Sequence, residues 1–279
     1  MWTFSRCWRR LCSLPLAALP LLPALAFAQV PVLPNEEDYG RRSDDFSLSF
    51  CVDPRDPGWE VDLAIGEAIA AALLLEPKPF IVADTNRTAP FDDIYIHLRA
   101  DCRVYFGFKL ISEAYPDWVT VTRPYYETGY VFVARPPAPA RLDDIARGTP
   151  IGATLGSSAD FRLVQYNNSI PAAQRWTRYP YSSDQQSLRA VADGKVAAAL
   201  VWRPSLAALA RTEPVFAGLQ AMSPDPVTLD PMPVGALLLS SEVYFRSLLD
   251  EAIAALVEDG TIAAILAEHG MIGTAPGAL

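Results

Sequence analysis

The stretch 101–137 constrains the fold most, because it holds two apolar runs separated by a polar interval. The first run, 104–108, is short and aromatic, which is typical of a buried strand. The second run, 125–133, is rich in Val, Tyr and Phe. It stops before Pro136 and Pro137, since proline cannot continue a strand ladder. Helical and strand patterns alternate on both sides, so the sequence predicts a hinge between two α/β lobes with a ligand cleft between them.

Periodicity places further elements on either side of this hinge. Apolar residues at helical spacing predict helices, and short apolar or alternating runs predict strands. The predicted strands are 46–52, 80–83, 151–155, 196–201 and 234–239, and the predicted helices are 59–75, 91–100, 206–211 and 244–257. Pro77 and Pro79 are expected to end the helix that begins at Trp59.

The first 28 residues have the pattern of a secretory signal. A positive segment, an apolar segment and a small-x-small cleavage site follow one another: Arg6, Arg9 and Arg10, then 11–25, then Ala26-Phe27-Ala28. The apolar segment is short and contains three prolines, which disfavours a membrane span. Cleavage after Ala28 predicts a periplasmic protein in which 29–45 forms a loose, polar arm.

Composition narrows the classes of partner. The chain has a net charge of -9, and loss of the three signal arginines makes the mature chain -12. An acidic surface disfavours nucleic acid and anionic membranes as partners. No later apolar run is long enough to span a bilayer. The acidity serves solubility in the simplest interpretation, and attraction of a basic protein partner is the alternative.

Cysteine and histidine content argues against several kinds of chemistry. Two cysteines remain after processing, Cys51 and Cys102. In an oxidising compartment an isolated pair most simply forms one disulfide, the alternative being two buried thiols. No Cys-x-x-Cys occurs, which disfavours a redox role. The only histidines, His97 and His269, are far apart, so neither a metal site nor a Ser-His-Asp triad is expected.

Two predicted strand ends carry side chains suited to a ligand. Asp53 lies in the loop after the first strand, which in α/β folds faces the ligand crevice. Ser157 and Ser158 open a helix with hydroxyls and free amides that suit an anion, although an ordinary helix cap explains them equally well.

Another strand end combines an aromatic ring with a positive charge. Trp202 and Arg203 directly follow the predicted strand 196–201. A tryptophan platform beside an arginine clamp would suit a carboxylated ligand. The alternative is a surface arginine beside a packing tryptophan.

Several segments resemble the family 3 extracellular solute-binding proteins, the amino-acid type. Gly58-Trp59-Glu60-Val61-Asp62-Leu63-Ala64 is similar to their GFDVDLA opening, and Thr122-Arg123-Pro124-Tyr125-Tyr126-Glu127-Thr128-Gly129 to their S-x-PYY-x-G signature. Shorter segments follow in the family's order: Leu142-Asp143-Asp144-Ile145, Gly156-Ser157-Ser158, Asp193-Gly194-Lys195-Val196 and Asp259-Gly260-Thr261. The resemblance covers about 48–270.

This resemblance implies an α/β, two-lobed periplasmic binding protein. Each lobe would be a mixed sheet flanked by helices, and two hinge crossovers would join them. The first lobe would comprise 46–134 with 226–279, and the second 135–225. Closure of the lobes around a ligand would shift an open–closed equilibrium.

The chain departs from the amino-acid binders where they hold their ligand. In that family an arginine after the G-x-T-x-T turn clamps the carboxylate, but 107–115 contains no arginine. The aspartate that binds the ammonium group is replaced by Trp202. A free amino acid would therefore leave two charges poorly paired, at a cost of several kcal/mol.

A subfamily encoded with methanol and other quinoprotein dehydrogenases is similar in four places. These are Cys51-Val52-Asp53-Pro54, Cys102 before a strand, Thr122-Arg123-Pro124-Tyr125-Tyr126 and Val201-Trp202-Arg203-Pro204. In that group the two cysteines pair, and VWGP occupies the last place. Here Arg203 stands for the glycine, and the loop after the first strand is shorter. The resemblance implies assistance to a periplasmic pyrroloquinoline quinone enzyme, by binding the enzyme, its cofactor or a small carboxylated ligand.

The cleft expected from these observations mixes aromatic and charged side chains. Its predicted members are Asp53, Trp59, Phe91, Phe108, Lys109, Ser157, Ser158, Trp202 and Arg203. The aromatics would stack on the ligand, and Lys109 and Arg203 would receive carboxylates. No cofactor is expected to be required, with pyrroloquinoline quinone as a candidate ligand.

Two alternative functions share this scaffold. One is a receptor that delivers amino acids or another small polar solute to an ABC permease. The other is a lyase resembling cyclohexadienyl dehydratase, with Asp53, Lys109 or Glu113 as acid or base. Because no sequence pattern supports an acid or base role for any of the three, the chain is expected not to be an enzyme.

Overall fold

The computed structural model describes residues 46–83, 90–271 and 273–276, so the predicted signal and the arm 29–45 lie outside the described residues. The strands are β1 (Ser47–Val52), β2 (Glu76–Ile81), β3 (Val104–Lys109), β4 (Val119–Val121), β5 (Tyr126–Thr128), β6 (Tyr130–Ala134), β7 (Pro150–Thr154), β8 (Thr177–Tyr181), β9 (Ala198–Trp202), β10 (Gln220–Met222) and β11 (Met232–Leu239). The helices are α1 (Trp59–Ala72), α2 (Pro90–Ala100), α3 (Ser158–Ser169), α4 (Asp184–Ala192), α5 (Arg203–Thr212), α6 (Val243–Glu258) and α7 (Thr261–Glu268).

The strands form two separate sheets. The first has the order β2-β1-β3-β11-β4, and β5 also pairs with β11. The second has the order β10-β6-β9-β7-β8. In each sheet three neighbouring strands are parallel, and the others join them antiparallel. Both sheets are mixed and flanked by helices, which confirms the predicted fold class.

The chain passes from the first sheet to the second at Gly129. Strand β5 ends at Thr128 in the first sheet, and β6 begins at Tyr130 in the second, paired with β9. The apolar pattern of 125–133 suggests one continuous strand and places the crossing near residue 134. The structure instead divides this run at its only glycine. The return crossing lies between β10 and β11.

Prolines lie in both outermost parallel strands. In β2 the N–H groups of Glu76 and Val82 bond to β1, so backbone amides at even positions face inward. Pro77 and Pro79 occupy odd positions, at which an N–H group would face outward. The missing N–H groups therefore remove no hydrogen bond from the ladder. The strand therefore includes the prolines, which do not lie between helix and strand as the sequence predicts.

The first sheet packs against α1, α6 and α7 around one apolar core. In α1 the buried residues Val61, Ile65 and Ile69 recur at helical spacing. The second sheet has an apolar core on each face. Among the described residues no helix is both long enough and apolar enough to cross a membrane.

A disulfide ties the first sheet together. Cys51 of β1 is joined to Cys102, which precedes β3, with 5.6 Å between the Cα atoms. Both residues are fully buried. A satellite core of aromatic and aliphatic side chains surrounds them.

Candidate functional site

A lysine from the first sheet lies against two aromatic rings of the second. Lys109 is the last residue of β3, Tyr130 the first of β6, and Trp202 the last of β9. Tyr130 and Trp202 are register partners, and their ring centroids lie 4.9 Å apart. Lys109 Nζ is 4.0 Å from the Trp202 ring centroid and 5.2 Å from that of Tyr130, and it donates to Tyr130 Oη at 3.2 Å. We call these three residues the lysine cage.

The lysine cage is a contact between the two sheets. Trp202 belongs to a strand of the second sheet, yet it is 5% exposed and packs with the core of the first. A partly desolvated cation over an aromatic face stabilises by about 1–2 kcal/mol. A second contact spans the sheets on the helical side, where Arg211 of α5 donates to Glu60 of α1 and to the His269 carbonyl.

The backbone of Lys109 is also fixed. Tyr115 Oη donates to the Lys109 carbonyl at 2.6 Å. Burial raises the pKa of Tyr115 to about 12, so the phenol stays protonated and remains a donor throughout the neutral range. This bond anchors the strand end from which the lysine side chain extends.

Two carboxyl groups lie in the short loop after β1, and one of them interacts with the charge of Lys109. Asp53 is half-buried, which raises its pKa. Hydrogen bonds from the Arg55 side chain and backbone outweigh burial, so the pKa of Asp53 falls below its ordinary value. Burial raises the pKa of Asp56 above its ordinary value, although the Gly58 N–H bond and the charge of Lys109 act in the opposite direction. Asp56 is therefore the acid of this loop that senses Lys109.

A third carboxyl group lies deeper, on α1. Asp62 is 1% exposed, and its Oδ1 accepts from Tyr125 Oη at 2.7 Å. Burial first, and then the neighbouring charge of Asp56, raise the pKa of Asp62 well above its ordinary value. The same Tyr125 oxygen accepts from the Gly107 N–H at 2.9 Å. The acid, the phenol and β3 thus form one buried network.

The raised pKa of Asp62 predicts a pH dependence of stability. The folded protein keeps a proton that the unfolded chain releases near pH 3.8. Stability should therefore fall as the pH rises above that value, by up to about 1.4 kcal/mol per pH unit per proton, until the folded carboxyl itself ionises. Asp62→Asn keeps an acceptor for Tyr125 and should flatten this slope. Urea unfolding between pH 4 and 8 measures it, and an unchanged slope would contradict the assignment.

The predicted aromatic cleft residues divide between sites. Phe91 and Phe108 pack edge-to-face on Tyr115 in the satellite core around the disulfide. Trp59 is half-buried at the start of α1 and packs against the first core. Of the predicted residues, the structure brings Lys109 and Trp202 into direct contact, with Asp53 in the neighbouring loop.

The helix start predicted to bind an anion already holds one from the chain itself. Ser157 caps α3 by accepting from the Asp160 N–H at 3.0 Å. The Asp160 carboxylate accepts from the Gly156 N–H at 3.2 Å, and Arg178 binds both its oxygens. Asp160 is 4% exposed, so this is a closed internal ion pair. The ordinary-cap interpretation accounts for Ser157.

Ser158 and Arg203 line two hollows beside the crossings. Ser158 lines one of about 130 Å³ with Tyr130 and Asp230. Arg203 lines one of about 300 Å³ that contains Glu127 and also includes Tyr130 and Asp230. Lys109 lines neither, so the two cations predicted to clamp one carboxylate lie in different surroundings. Among the described residues no group of three or more His, Cys, Asp or Glu is placed to hold a metal ion.

Sequence reasoning missed Asp56, Asp62, Tyr125 and Tyr130 as members of the site. The available signal was the segment Asp56-Pro57-Gly58, an acid in a loop shorter than the resemblance leads one to expect. The partner of Asp62 is Tyr125, 63 positions further along the chain. Such a pairing becomes visible only when the fold brings α1 and the residue before β5 together.

Solved structures share this architecture. Neither models of protein families nor curated proteins match the chain. An ancestral arginine-binding protein bound to glutamine matches with TM-score 0.53 and 18% identity, covering 82% of this chain and 100% of that one. An arginine transport-system periplasmic binding protein from Legionella pneumophila matches with TM-score 0.53 and 13% identity, over 80% and 99%. A histidine kinase sensor domain similar to periplasmic binding proteins matches with TM-score 0.55 and 16% identity, over 86% and 100%.

The chain has the fold of a two-lobed periplasmic binding protein. In this fold the first sheet is the core of one lobe and the second sheet the core of the other. The lysine cage therefore lies between the lobes, at the carboxyl ends of β3 and β9, where α/β folds place their ligands.

Proposed function

We propose that this protein is a non-enzymatic receptor that binds a small polar solute between its two lobes. The observation that carries the proposal is the lysine cage, a polar and aromatic contact made by residues of both lobes at their strand ends. A group that enters this contact changes how the lobes meet. The similarity to binding proteins and to a sensor domain supports a receptor role.

Enzymatic use of the same site has little support. The Arg55 side chain donates hydrogen bonds to Asp53, and the buried Asp62 accepts a hydrogen bond from Tyr125. Glu113 lines a groove of the first lobe together with Ile111 and Tyr115, and Lys109 does not line it. Asp53 is thus paired with Arg55, Lys109 is held by Tyr130 and Trp202, and Glu113 lies apart from the lysine cage, so none of the three is positioned as a free acid or base.

Association with a quinoprotein dehydrogenase depends on the sequence resemblance alone. The three solved structures described above are two amino-acid-binding proteins and a sensor domain, and they favour the alternative of a solute receptor. Delivery to an ABC permease, like export to the periplasm, is part of this proposal. The pyrroloquinoline quinone cofactor is retained only as one solute to be tested.

Titration of the mature chain, 29–279, tests the receptor proposal. Amino acids, small carboxylates, alkylammonium ions and pyrroloquinoline quinone are added while tryptophan fluorescence and heat are recorded. We expect saturable binding of one class with a fluorescence change, because Trp202 lies at the lobe contact. Trp202→Phe should remove most of that change. Trp118→Phe, in the satellite core of the first lobe, should keep it. The absence of binding across all four classes would overturn the proposal.

A further inference from the structure

The lysine cage has the chemistry of a binding site that is occupied by part of its own chain. Its occupant is a primary ammonium group, 4.0 Å from the Trp202 ring centroid and 3.2 Å from Tyr130 Oη. An aromatic pair with a hydroxyl acceptor recognises ammonium groups through the negative faces of the rings. Lys109 reaches this position from the other lobe, as a ligand between the lobes would.

The surrounding charge favours a cation over an anion. Asp56 lies in the loop after β1 close enough to Lys109 for the lysine charge to act against the effect of burial on the pKa of Asp56. A carboxylate in the cage would be repelled by Asp56 whenever that acid is ionised, whereas an ammonium group would be attracted.

One of the groups that could have received a carboxylate is used elsewhere, and another lies in a hollow lined by acids. The start of α3 is satisfied by Asp160, which Arg178 holds in a bidentate pair. Arg203 lines the hollow that also contains Glu127 and Asp230. Lys109 is the cation of the lysine cage, and its ammonium is already held by aromatic rings.

We infer that the solute of this receptor carries a small organic monocation, a primary alkylammonium group, which takes the place of Lys109 Nζ in the lysine cage. This inference rests on the proposed function and names its substrate class. Lys109 then acts as a tethered competitor, which holds the lobes together until the solute displaces it. Displacement exchanges one ammonium group for another, so the aromatic and hydroxyl contacts of the cage are made again.

Removal of the Lys109 ammonium group should leave the cage free for the solute. A tethered group competes at an effective concentration on the order of millimolar. Lys109→Met keeps the aliphatic stem and removes the ammonium, so the cage loses its occupant. We expect n-butylammonium, which reproduces the lysine side chain, to bind Lys109→Met at least about tenfold more tightly than it binds the unchanged protein.

Three probes and two variants complete the experiment. Calorimetric titrations of the mature chain compare n-butylammonium with 1-butanol and butyrate, which have similar shapes and different charges. Lys195→Met is the matched control, because it removes an equal charge from an exposed residue paired with Asp193. It should leave the affinity unchanged. Lys109→Gln also removes the ammonium group and keeps part of the stem, so it should tighten n-butylammonium binding in the same direction if Lys109→Met does not fold.

The outcomes separate the two proposals. Tighter n-butylammonium binding in Lys109→Met, with no gain for 1-butanol or butyrate, supports the inference. Binding of butyrate or another carboxylate that is lost in Lys109→Met would overturn the cation assignment and leave the receptor intact. Equal n-butylammonium affinity in both proteins would also overturn it. The absence of any binding, in the unchanged protein and in Lys109→Met, would overturn the inference and the receptor proposal together.

Discussion

The Cys51→Ala/Cys102→Ala double variant should lose about 4 kcal/mol of unfolding free energy. The disulfide closes a loop with a sequence separation of 51, and a cross-link of that length removes about this much chain entropy from the unfolded state. The loop includes α1, β2 and α2, so the unfolded chain of this part of the first lobe is less restricted when the link is absent. Denaturant unfolding followed by circular dichroism measures the loss.

Reduction provides the matched control for this variant. Alanine also removes two buried sulphur atoms, which adds a packing loss to the entropic one. The unchanged protein unfolded in a thiol reductant loses the link and keeps both side chains. Its stability should fall nearly as far as that of the double variant. A stable protein in reductant together with an unstable double variant would assign the effect to packing, and would contradict the entropic account.

Strands that contain proline show where sequence patterns stop being informative. Strand β8 is absent from the predicted elements, and it contains Pro180. The Thr177 N–H donates to the Thr149 carbonyl directly before β7, so amides at odd positions face inward and Pro180 lies at an outward-facing position. Proline is tolerated where the missing N–H would have faced away from a neighbouring strand. Whether a strand lies at an edge is a property of the sheet, which the local sequence does not contain.

The sequence predicts the residues of the site better than their partners. Lys109 and Trp202 can be identified from the sequence because each lies at the end of a recognisable strand. Their contact with each other depends on how two sheets meet across Gly129, and no local pattern encodes that. The role expected for Lys109, receipt of a carboxylate, stays a prediction, since the local sequence does not place the acids of the loop after β1 relative to this lysine.

The buried network also explains a glycine that the sequence marks only as the end of an apolar run. Gly107 has φ +94°, and a Cβ placed there would lie 2.8 Å from Oδ2 of Asp62. Gly107→Ala should therefore destabilise in two ways. The left-handed backbone costs about 1–2 kcal/mol for a residue with a side chain. Displacement of the buried Asp62 carboxyl from Tyr125 costs about 1–3 kcal/mol more.

Gly260→Ala separates these two contributions to the effect of Gly107→Ala. Gly260 has φ +84°, and no atom outside its neighbours lies within 4 Å of a Cβ placed there. This variant should show the backbone cost alone, about 1–2 kcal/mol, whereas Gly107→Ala should lose about 2–5 kcal/mol in the same denaturant titration. Equal losses would mean that the Asp62 carboxyl moves aside freely. That result would mean that Asp62 and Tyr125 do not hold α1 rigidly against β3, the strand from which Lys109 extends into the cage.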